Sequence, residues 1–358
     1  MNYKLSEIVS FKTGKLNSNA AVLNGKYPFF TCSQETYLTN TYSFDCECCL
    51  LGGNNANGIY PLKYYNGKFD AYQRTYIIQT KNEKIAKNRY IYYAMLLMLE
   101  ELKSMSTGAA TKFLTLTILN NLEINIPSIK EQDKVITILS NYDDLIENNN
   151  KRIKILEEMA QKIYKEWFVD FQYPGHETAI FKDTELGKLV MPKKGKNITK
   201  ATIKEGCVPV VAGGLEPAYY HNVANTVAPV ITVSASGANA GYVKLYYEDI
   251  WASDCSYIDC QMTSYIYYFY SYLKYNQIKV TNLQKGAAQP HVYPQDLATL
   301  KIMDIDESII KQFNLIVTPL FEEIKNIISK NKVLKQARDL LLPRLISGEI
   351  DVESMEIA

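Results

Sequence analysis

The sequence contains an internal repeat, and this feature limits the fold more than any other. Three landmark residues of the first half recur at an offset of 181 residues: Leu5 as Leu186, Gly14 as Gly195, and Gly25 as Gly206. Further matches follow in the same order, with residues 90–93 resembling 265–268 and residues 108–110 matching 286–288. Ordered matches of this kind are typical of duplicated units, so the sequence predicts two similar units of ~180 residues each.

Each predicted unit has a globular part followed by a helical part. The first ~125 residues are short apolar runs separated by Gly, Pro and Asn, which is the pattern of short strands and turns. One helical stretch is expected within them, near residues 89–105 of the first copy. The last ~40 residues repeat with helical spacing, and in the first copy they contain neither Gly nor Pro. The predicted fold class is α+β, with two mixed, mainly β domains and two long helices.

Apolar residues in both helical parts are spaced alternately four and three apart, which is typical of a coiled-coil seam. The first seam consists of Val135, Leu139, Tyr142, Ile146, Asn149, Ile153, Leu156, Ala160, Ile163 and Trp167. The second, shifted by 178 residues, consists of Phe313, Val317, Leu320, Ile324, Ile327, Asn331, Leu334, Arg338, Leu341 and Leu345. Ser128 and Glu131 predict a capping box at the start of the first helix, and Pro343 predicts a kink in the second.

The charge divides along the same boundaries. Residues 1–125 and 186–305 carry net charges of +4 and +3, whereas residues 126–185 and 306–358 carry −4 and −2. Two basic domains held by acidic helices fit a polyanion that is contacted twice, and chance scatter among surface charges is the alternative. The total of +1 excludes an acidic nucleic-acid mimic and a uniformly basic, histone-like protein.

The cysteines and the hydropathy exclude further classes. The seven cysteines are odd in number and irregularly spaced, which argues against a secreted disulfide framework. Cys46 and Cys49 form a C-x-x-C without a second pair, so no metal site is expected. Neither a membrane-spanning apolar stretch nor a signal-peptide core is present, which predicts a cytoplasmic protein without a membrane partner.

The sequence contains no recognisable catalytic motif. The phosphate-binding loop, the nucleophile elbow, the zinc-protease motif and the amino-methyltransferase motif are all missing. Asp254 and Asp259 are close in sequence but lack the lysine partner of a nuclease site, so they are expected at strand ends or turns. The chain is therefore predicted to have no catalytic residues, and an undetected site is the alternative.

Two polar loops recur in both halves. Residues 52–58 match 234–241, and residues 108–112 match 286–291. Asn side chains can read adenine edges and free N–H groups can hold phosphate, whereas tight structural turns are the alternative explanation. With nearby basic residues, these loops supply the DNA-binding candidates: Lys12, Lys15, Asn55, Asn57, Arg74, Lys112, Lys193, Lys194, Lys196, Asn239, Lys244, Gln289 and His291.

These segments give the chain a family resemblance. Over essentially its whole length it resembles the specificity subunits of type I DNA restriction-modification systems. The most specific segments are residues 163–171 and 341–350, and residues 231–243 and 286–290 are also similar. At residues 111–113 the first half departs from the family's loop motif, so the two second loops are not expected to contact DNA identically.

The resemblance implies a division of labour along the chain. Each globular part reads one half of a split, asymmetric DNA sequence, and the helices form an antiparallel spacer. It implies two DNA adenine methyltransferase subunits as partners, with or without two translocase–endonuclease subunits; S-adenosylmethionine, ATP and Mg²⁺ belong to those partners. The implied segments are recognition domains 1–127 and 186–305, spacer helices 128–172 and 306–347, a linker 173–185 and a tail 348–358. The implied spacer or partner-interface residues are Asn149, Trp167, Phe168, Asn331, Leu341 and Arg344.

An antiparallel spacer allows its register to be predicted. Each seam contains one Asn, and setting Asn149 opposite Asn331 makes the numbers of facing residues add up to 480. Trp167 then faces Phe313, so apolar layers meet. Arg338 lies against Tyr142, which is tolerable if its stem packs and its guanidinium reaches solvent. A buried Asn pair costs stability but fixes register. The alternative is that both Asn side chains face solvent or a partner.

Three other functions stay open at this point. The chain could serve a fused restriction-methylation enzyme outside type I, act alone as a DNA-binding scaffold, or be a nuclease that needs only Mg²⁺. Neighbouring genes, DNA binding by the isolated chain, and Mg²⁺-dependent cleavage respectively distinguish them. The target bases and the length of the gap between half-sites do not follow from the sequence.

Overall fold

The computed structural model describes residues 1–55, 58–108, 111–178, 182–286 and 290–353. They fall into two compact units. Unit 1 comprises Met1–Glu147 and the chain from Lys332 onward, and unit 2 comprises Asn148–Asn331. Within the described ranges, no helix is both long enough and apolar enough to cross a membrane.

Unit 1 contains a mixed domain and the adjoining parts of both long helices. Its strands are β1 (Asn2–Lys4), β2 (Val9–Thr13), β3 (Tyr27–Phe30), β4 (Thr36–Thr39), β5 (Phe44–Gly52), β6 (Asn54–Asn55), β7 (Leu62–Ala71), β8 (Thr75–Thr80), β9 (Lys112–Phe113) and β10 (Glu123–Asn125). Its shorter helices are α1 (Leu5–Ile8), α2 (Asn88–Leu97), α3 (Leu99–Met105) and α4 (Leu116–Asn121). The first long helix, α5 (Ile129–Phe168), begins in this unit.

A six-stranded sheet forms the centre of this domain, in the order β2-β8-β5-β7-β3-β4. Neighbouring strands are antiparallel except for β3 and β7, which are parallel. Alternate residues of the central strands face opposite sides. Cys49 and Ile78 therefore belong to a main core that also contains Tyr90, whereas Leu50 and Ile77 belong to a smaller core on the other side.

Unit 2 repeats this arrangement. Its strands are β11 (Lys182–Glu185), β12 (Lys193–Lys194), β13 (Val208–Val211), β14 (Tyr219–His221), β15 (Val230–Ser234), β16 (Val243–Tyr246), β17 (Trp251–Ala252), β18 (Cys255–Asp259) and β19 (Lys301–Asp304). Its shorter helices are α6 (Leu186–Leu189), α7 (Ile266–Tyr275), α8 (Gln277–Thr281) and α9 (Pro294–Ala298), and the second long helix is α10 (Glu307–Ile346). The sheet orders are β12-β18-β15-β16 and β14-β13-β17, with β13 and β17 parallel.

Equivalent backbone hydrogen bonds confirm the repeat. The amide of Leu5 donates to the carbonyl of Leu122 at 2.7 Å, and the amide of Leu186 donates to that of Leu300 at 2.9 Å. Gly14 explains why one repeated position is glycine: a Cβ there would lie 2.1 Å from a backbone oxygen of Ala71. Its counterpart Gly195 faces the same restriction, at 2.2 Å from a backbone oxygen.

Both long helices bury the predicted seams. Each of the twenty seam residues is buried or half-buried. The predicted capping box is also present, because Ser128 N donates to Glu131 Oε2 at 2.8 Å and Glu131 N donates to Ser128 Oγ at 3.3 Å. Helix α10 continues past Pro343 and also contains Pro319, which the sequence argument overlooked. A proline withholds one helical N–H, and Pro319 sits on the exposed face, where water can satisfy the carbonyl left without a partner.

The long helices lie inside the predicted segments 128–172 and 306–347. The compact units, however, divide the chain within both helices, at 147/148 and 331/332. The exact boundaries of the two recognition domains and of the linker therefore stay predictions.

Candidate DNA interface

The structure brings the two predicted polar loops of unit 1 together. Short strands β6 and β9 pair antiparallel, with Asn54 opposite Phe113 and Asn55 opposite Lys112. These loops are almost sixty residues apart in sequence, so their pairing is a tertiary feature. We call Asn54, Asn55, Arg74, Lys112 and Phe113 loop cluster 1.

Arg74 joins this cluster through its backbone and its side chain. Its carbonyl accepts from Gly53 N at 2.7 Å, and its guanidinium carbon lies 5.4 Å from the centre of the Phe113 ring. Arg74 is exposed and lines an open depression of about 420 Å³. Lys103, which the sequence argument did not select, lies beside Lys112, because a Cβ placed on Gly58 would contact both lysine stems.

The corresponding loops of unit 2 also meet. Ser236 and His291 form an isolated antiparallel bridge, and the Ser236 hydroxyl donates to Asp254 Oδ2. Asn239 lies on the same first loop and donates to the carbonyl of Gly213 at 3.5 Å. We call Ser236, Asn239, Asp254 and His291 loop cluster 2. The His291 ring stacks on Tyr293, with 5.8 Å between centroids and 11° between ring planes.

Four of the predicted basic residues occupy repeated positions. Lys12 and Lys193 lie on the edge strands β2 and β12, and Lys15 and Lys196 directly follow the paired glycines. All four side chains are exposed, as is Lys194. The repeated cations therefore sit at the same edge of the sheet in each copy.

Lys244 is placed differently from the other candidates. Its ammonium donates to the carbonyl of Leu215 at 2.7 Å, lies 3.7 Å from a carboxylate oxygen of Glu216, and sits over the Tyr246 ring. These contacts bind the charge to neighbouring loop residues. Two other candidates, Asn57 and Gln289, lie outside the described residues.

The predicted Asn pair is present in unit 2. Asn149 Nδ2 donates to Asn331 Oδ1 at 2.8 Å, and Asn331 Nδ2 donates to Asn150 Oδ1 at 3.0 Å. Asn331 is only 6% exposed, so a partly buried Asn network lies in the seam. Trp167 and Phe313 also face each other as predicted, with 6.0 Å between ring centroids. The predicted antiparallel register therefore holds in this unit.

Arg338 has two acidic partners that the sequence argument did not name. In unit 1 its partly exposed guanidinium binds Asp143 and Asp339, each at 2.7 Å. Burial opposes the charge, but the two carboxylates hold the pKa of Arg338 above its usual range. Asp143 accepts in addition from the Tyr93 hydroxyl at 2.6 Å. These ion pairs explain how the seam tolerates an arginine at this position.

The remaining predicted interface residues have mixed surroundings. Trp167 and Phe168 are buried in the aromatic core of unit 2, where Phe168 packs edge-on to Phe313 at 5.0 Å. In unit 1, Leu341 packs against the main core, and Arg344 is exposed and pairs with Glu349 at 2.8 Å. Trp167, Phe168 and Leu341 thus contribute to internal packing, whereas Arg344 lies at the surface.

The cysteines and Asp259 have structural surroundings. All seven cysteines are described, and each is a free thiol. Burial raises the pKa of Cys255 to about 12, so that thiol stays protonated. Asp259 accepts from the amides of Val227 and Gln261, as expected for a strand end. In the described part of the chain, no group of three or more His, Cys, Asp or Glu could hold a metal ion.

The fold and its loops define a class of proteins with duplicated recognition domains. Two copies of one α+β domain carry equivalent polar loops, and two long helices pack along apolar seams. A family model for the type I restriction modification DNA specificity domain matches residues 1–158. The MjaIX specificity subunit of Methanocaldococcus jannaschii is 28% identical over 303 residues, which cover 75% of this chain and 70% of that protein. The first part of the chain thus matches the type I specificity domain, and the chain is similar to type I specificity subunits over most of its length.

Two further comparisons show the same similarity. The EcoDI specificity subunit of Escherichia coli is 26% identical over 202 residues, which cover 56% of this chain but only 44% of that protein. The crystal structure of the type I S subunit from M. genitalium has the same fold, with a TM-score of 0.57 at 18% identity. That alignment covers 96% of this chain and 95% of the other. These similarities support a role in DNA sequence specificity.

Proposed function

We propose that the chain reads a bipartite, asymmetric DNA site, one half with each recognition domain, and has no catalytic residues of its own. The observation that carries the proposal is the equivalence of loop clusters 1 and 2. Each is formed by the same two loops on the same scaffold, yet their side chains differ. Two similar readers with different contact residues suit a site whose halves differ in sequence.

The repeated lysines supply the sequence-independent part of binding in this proposal. Lys12, Lys15, Lys193 and Lys196 are exposed at the same sheet edge in both copies, and Lys194 extends the second group. Lysine ammonium groups bind phosphate as point charges and release counterions from DNA. Linking two such readers multiplies their modest affinities.

The proposed partners are two DNA adenine methyltransferase subunits, with two translocase–endonuclease subunits in a restricting complex. S-adenosylmethionine, ATP and Mg²⁺ are proposed to act on those subunits. Support comes from the similar proteins, which are named as specificity subunits of type I restriction enzymes. In this arrangement the chain decides where the other subunits act.

Mapping of modified adenines tests the proposal. The full chain is expressed with its cognate methyltransferase in a host without other adenine methylation. We expect one bipartite motif with a constant gap. Exchange of residues 186–305 for those of a relative should change one half of that motif only; a change in both halves contradicts independent reading.

A further inference from the structure

Arg74 and Asp254 occupy equivalent positions in the two recognition domains. Each immediately precedes a central strand, β8 or β18. The carbonyl of Arg74 accepts from Gly53 N at 2.7 Å, and that of Asp254 accepts from Ala235 N at 3.2 Å. The same backbone hydrogen bond therefore holds Arg74 and Asp254 at equivalent positions beside the first polar loop in both copies.

The second loops confirm this equivalence. Phe113 exchanges two backbone hydrogen bonds with Thr107, and His291 exchanges two with Lys285, at distances of 2.8–3.1 Å. The Arg74 guanidinium lies over Phe113, whereas Asp254 binds Ser236, the bridge partner of His291. Both side chains therefore belong to the junction of the two loops.

The features that the two copies share and the features in which they differ match different parts of DNA. The exposed lysines of the sheet edge are repeated, and the phosphate backbone is common to both half-sites. At the loop junction, by contrast, a cation in one copy is replaced by an anion in the other. A reversal of side-chain charge has no use at the phosphates, because they are negative in both half-sites. At base edges, however, a cation donates hydrogen bonds and an anion accepts them, so the two select different bases.

We propose that Arg74 and Asp254 are specificity-determining residues that read complementary hydrogen-bonding edges, one in each half-site. Arginine donates two bonds to the O6 and N7 acceptors of guanine, and a carboxylate accepts from the N4 amino group of cytosine. Ser236 occupies one oxygen of Asp254, and a carboxylate has capacity for further donors. The first domain therefore selects guanine, and the second selects cytosine, at one position each. This inference rests on the proposed DNA-reading function.

The test maps methylated adenines for the full chain assembled with its methyltransferase. Arg74→Ala should remove the guanine preference at one position of the half-site read by residues 1–125. We expect methylation of sites with another base there to rise about 5- to 150-fold relative to the wild-type site. Asp254→Asn should relax one cytosine position in the other half only.

Two control variants and one variant with a new base preference complete the test. Lys84→Ala and Glu205→Gln change exposed charges in the same two domains, outside the loop clusters, and should leave the motif unchanged. Arg74→Gln should replace the guanine preference by adenine, because glutamine pairs with adenine N6 and N7. Misfolding cannot produce such a new preference.

The outcomes separate this inference from the proposed function. If the wild-type complex methylates no bipartite motif, the proposed function fails. If the motif is bipartite but lacks guanine in the first half, the assignment of Arg74 is wrong. Uniform weakening of all sites by Arg74→Ala, without a change of motif, would likewise show a phosphate contact and overturn it.

Discussion

The two recognition domains have the same strand topology but are built differently. In the first, β7 runs unbroken for ten residues and pairs with both β5 and β3. In the second, the equivalent stretch is split into β16 and β17, and Asp249 between them accepts from the amide of Ala228 at 2.8 Å. Each half of the split strand retains its partner. The topology therefore depends on the two pairings and not on a continuous strand.

The domains also contact the long helices differently. In unit 1, helix α2 uses polar groups: Arg89 pairs with Asp144 at 2.9 Å, and Tyr93 donates to Asp143. In unit 2, helix α7 uses mainly aromatic packing, with Tyr267 stacked on Phe321 at 4.4 Å and 9°, and the Tyr267 hydroxyl donates to Glu322 at 3.3 Å. Both attachments include apolar contacts, but ion pairs reinforce the first and aromatic stacking dominates the second, so the two should differ in their response to salt.

The largest expected effect is the loss of the apolar attachment. Phe321 is fully buried in the core of unit 2. Phe321→Ala should lower the local unfolding free energy of α7 by about 3–5 kcal/mol, because it removes a large buried ring and leaves a cavity. Hydrogen exchange of the full chain measures this at α7, and the loss should be the same in low and high salt. A loss that shrinks markedly with salt would contradict an apolar attachment.

The repeated lysines provide a test of what the domains share. Lys12 and Lys15→Ala, and separately Lys193 and Lys196→Ala, should weaken DNA binding by the assembled methyltransferase to a similar extent. Each pair should reduce the slope of log affinity against log salt by about 1.8, since each lost phosphate contact contributes about 0.9. Lys188 and Lys279→Ala is the control, with the same charge change elsewhere in the second domain. If neither double variant changes the slope, the phosphate assignment is wrong.

The ionic attachment should show a smaller, salt-sensitive effect. Arg338→Ala leaves Asp143 with Tyr93 as its remaining partner and should cost about 1–3 kcal/mol in the local stability of α2. High salt should reduce this difference. Arg344→Ala on the same helix is the control, because its exposed pair with Glu349 should contribute at most about 1 kcal/mol. Equal losses of stability from the two substitutions would show that the Arg338 network contributes no more than an exposed ion pair.

The sequence predicted what periodicity and duplication determine. The repeat follows from ordered matches at a constant offset. The burial of the seams and the Asn149–Asn331 register follow from helical spacing, because a helix fixes the face on which each residue lies. It did not predict the partner of Arg338, because an ion pair depends on one rotamer and one neighbour. Nor did it align Arg74 with Asp254, because the residues differ in charge and the offset there is 180 instead of 181. The loops met only through tertiary pairing, which leaves no periodic signal.

The smallest effect on stability is expected at the Asn network in the seam. Asn331→Leu alone leaves Asn149 and Asn150 without their partner and should cost about 1 kcal/mol. Asn149→Leu with Asn331→Leu should recover that loss, because Leu layers pack well in a coiled coil. The double variant should nevertheless loosen the register, since the apolar seam then permits sliding.

Loosened register has a consequence that stability measurements miss. If the seam fixes the separation of the two readers, the double variant should methylate additional sites whose gap is one base pair longer or shorter than in the wild type. Asn148→Leu, an exposed neighbour, is the control and should leave the gap constant. An unchanged gap in the double variant would show that the interhelical ion pairs Arg152–Glu323 and Asp143–Arg338, together with the apolar layers, hold the register without the Asn pair.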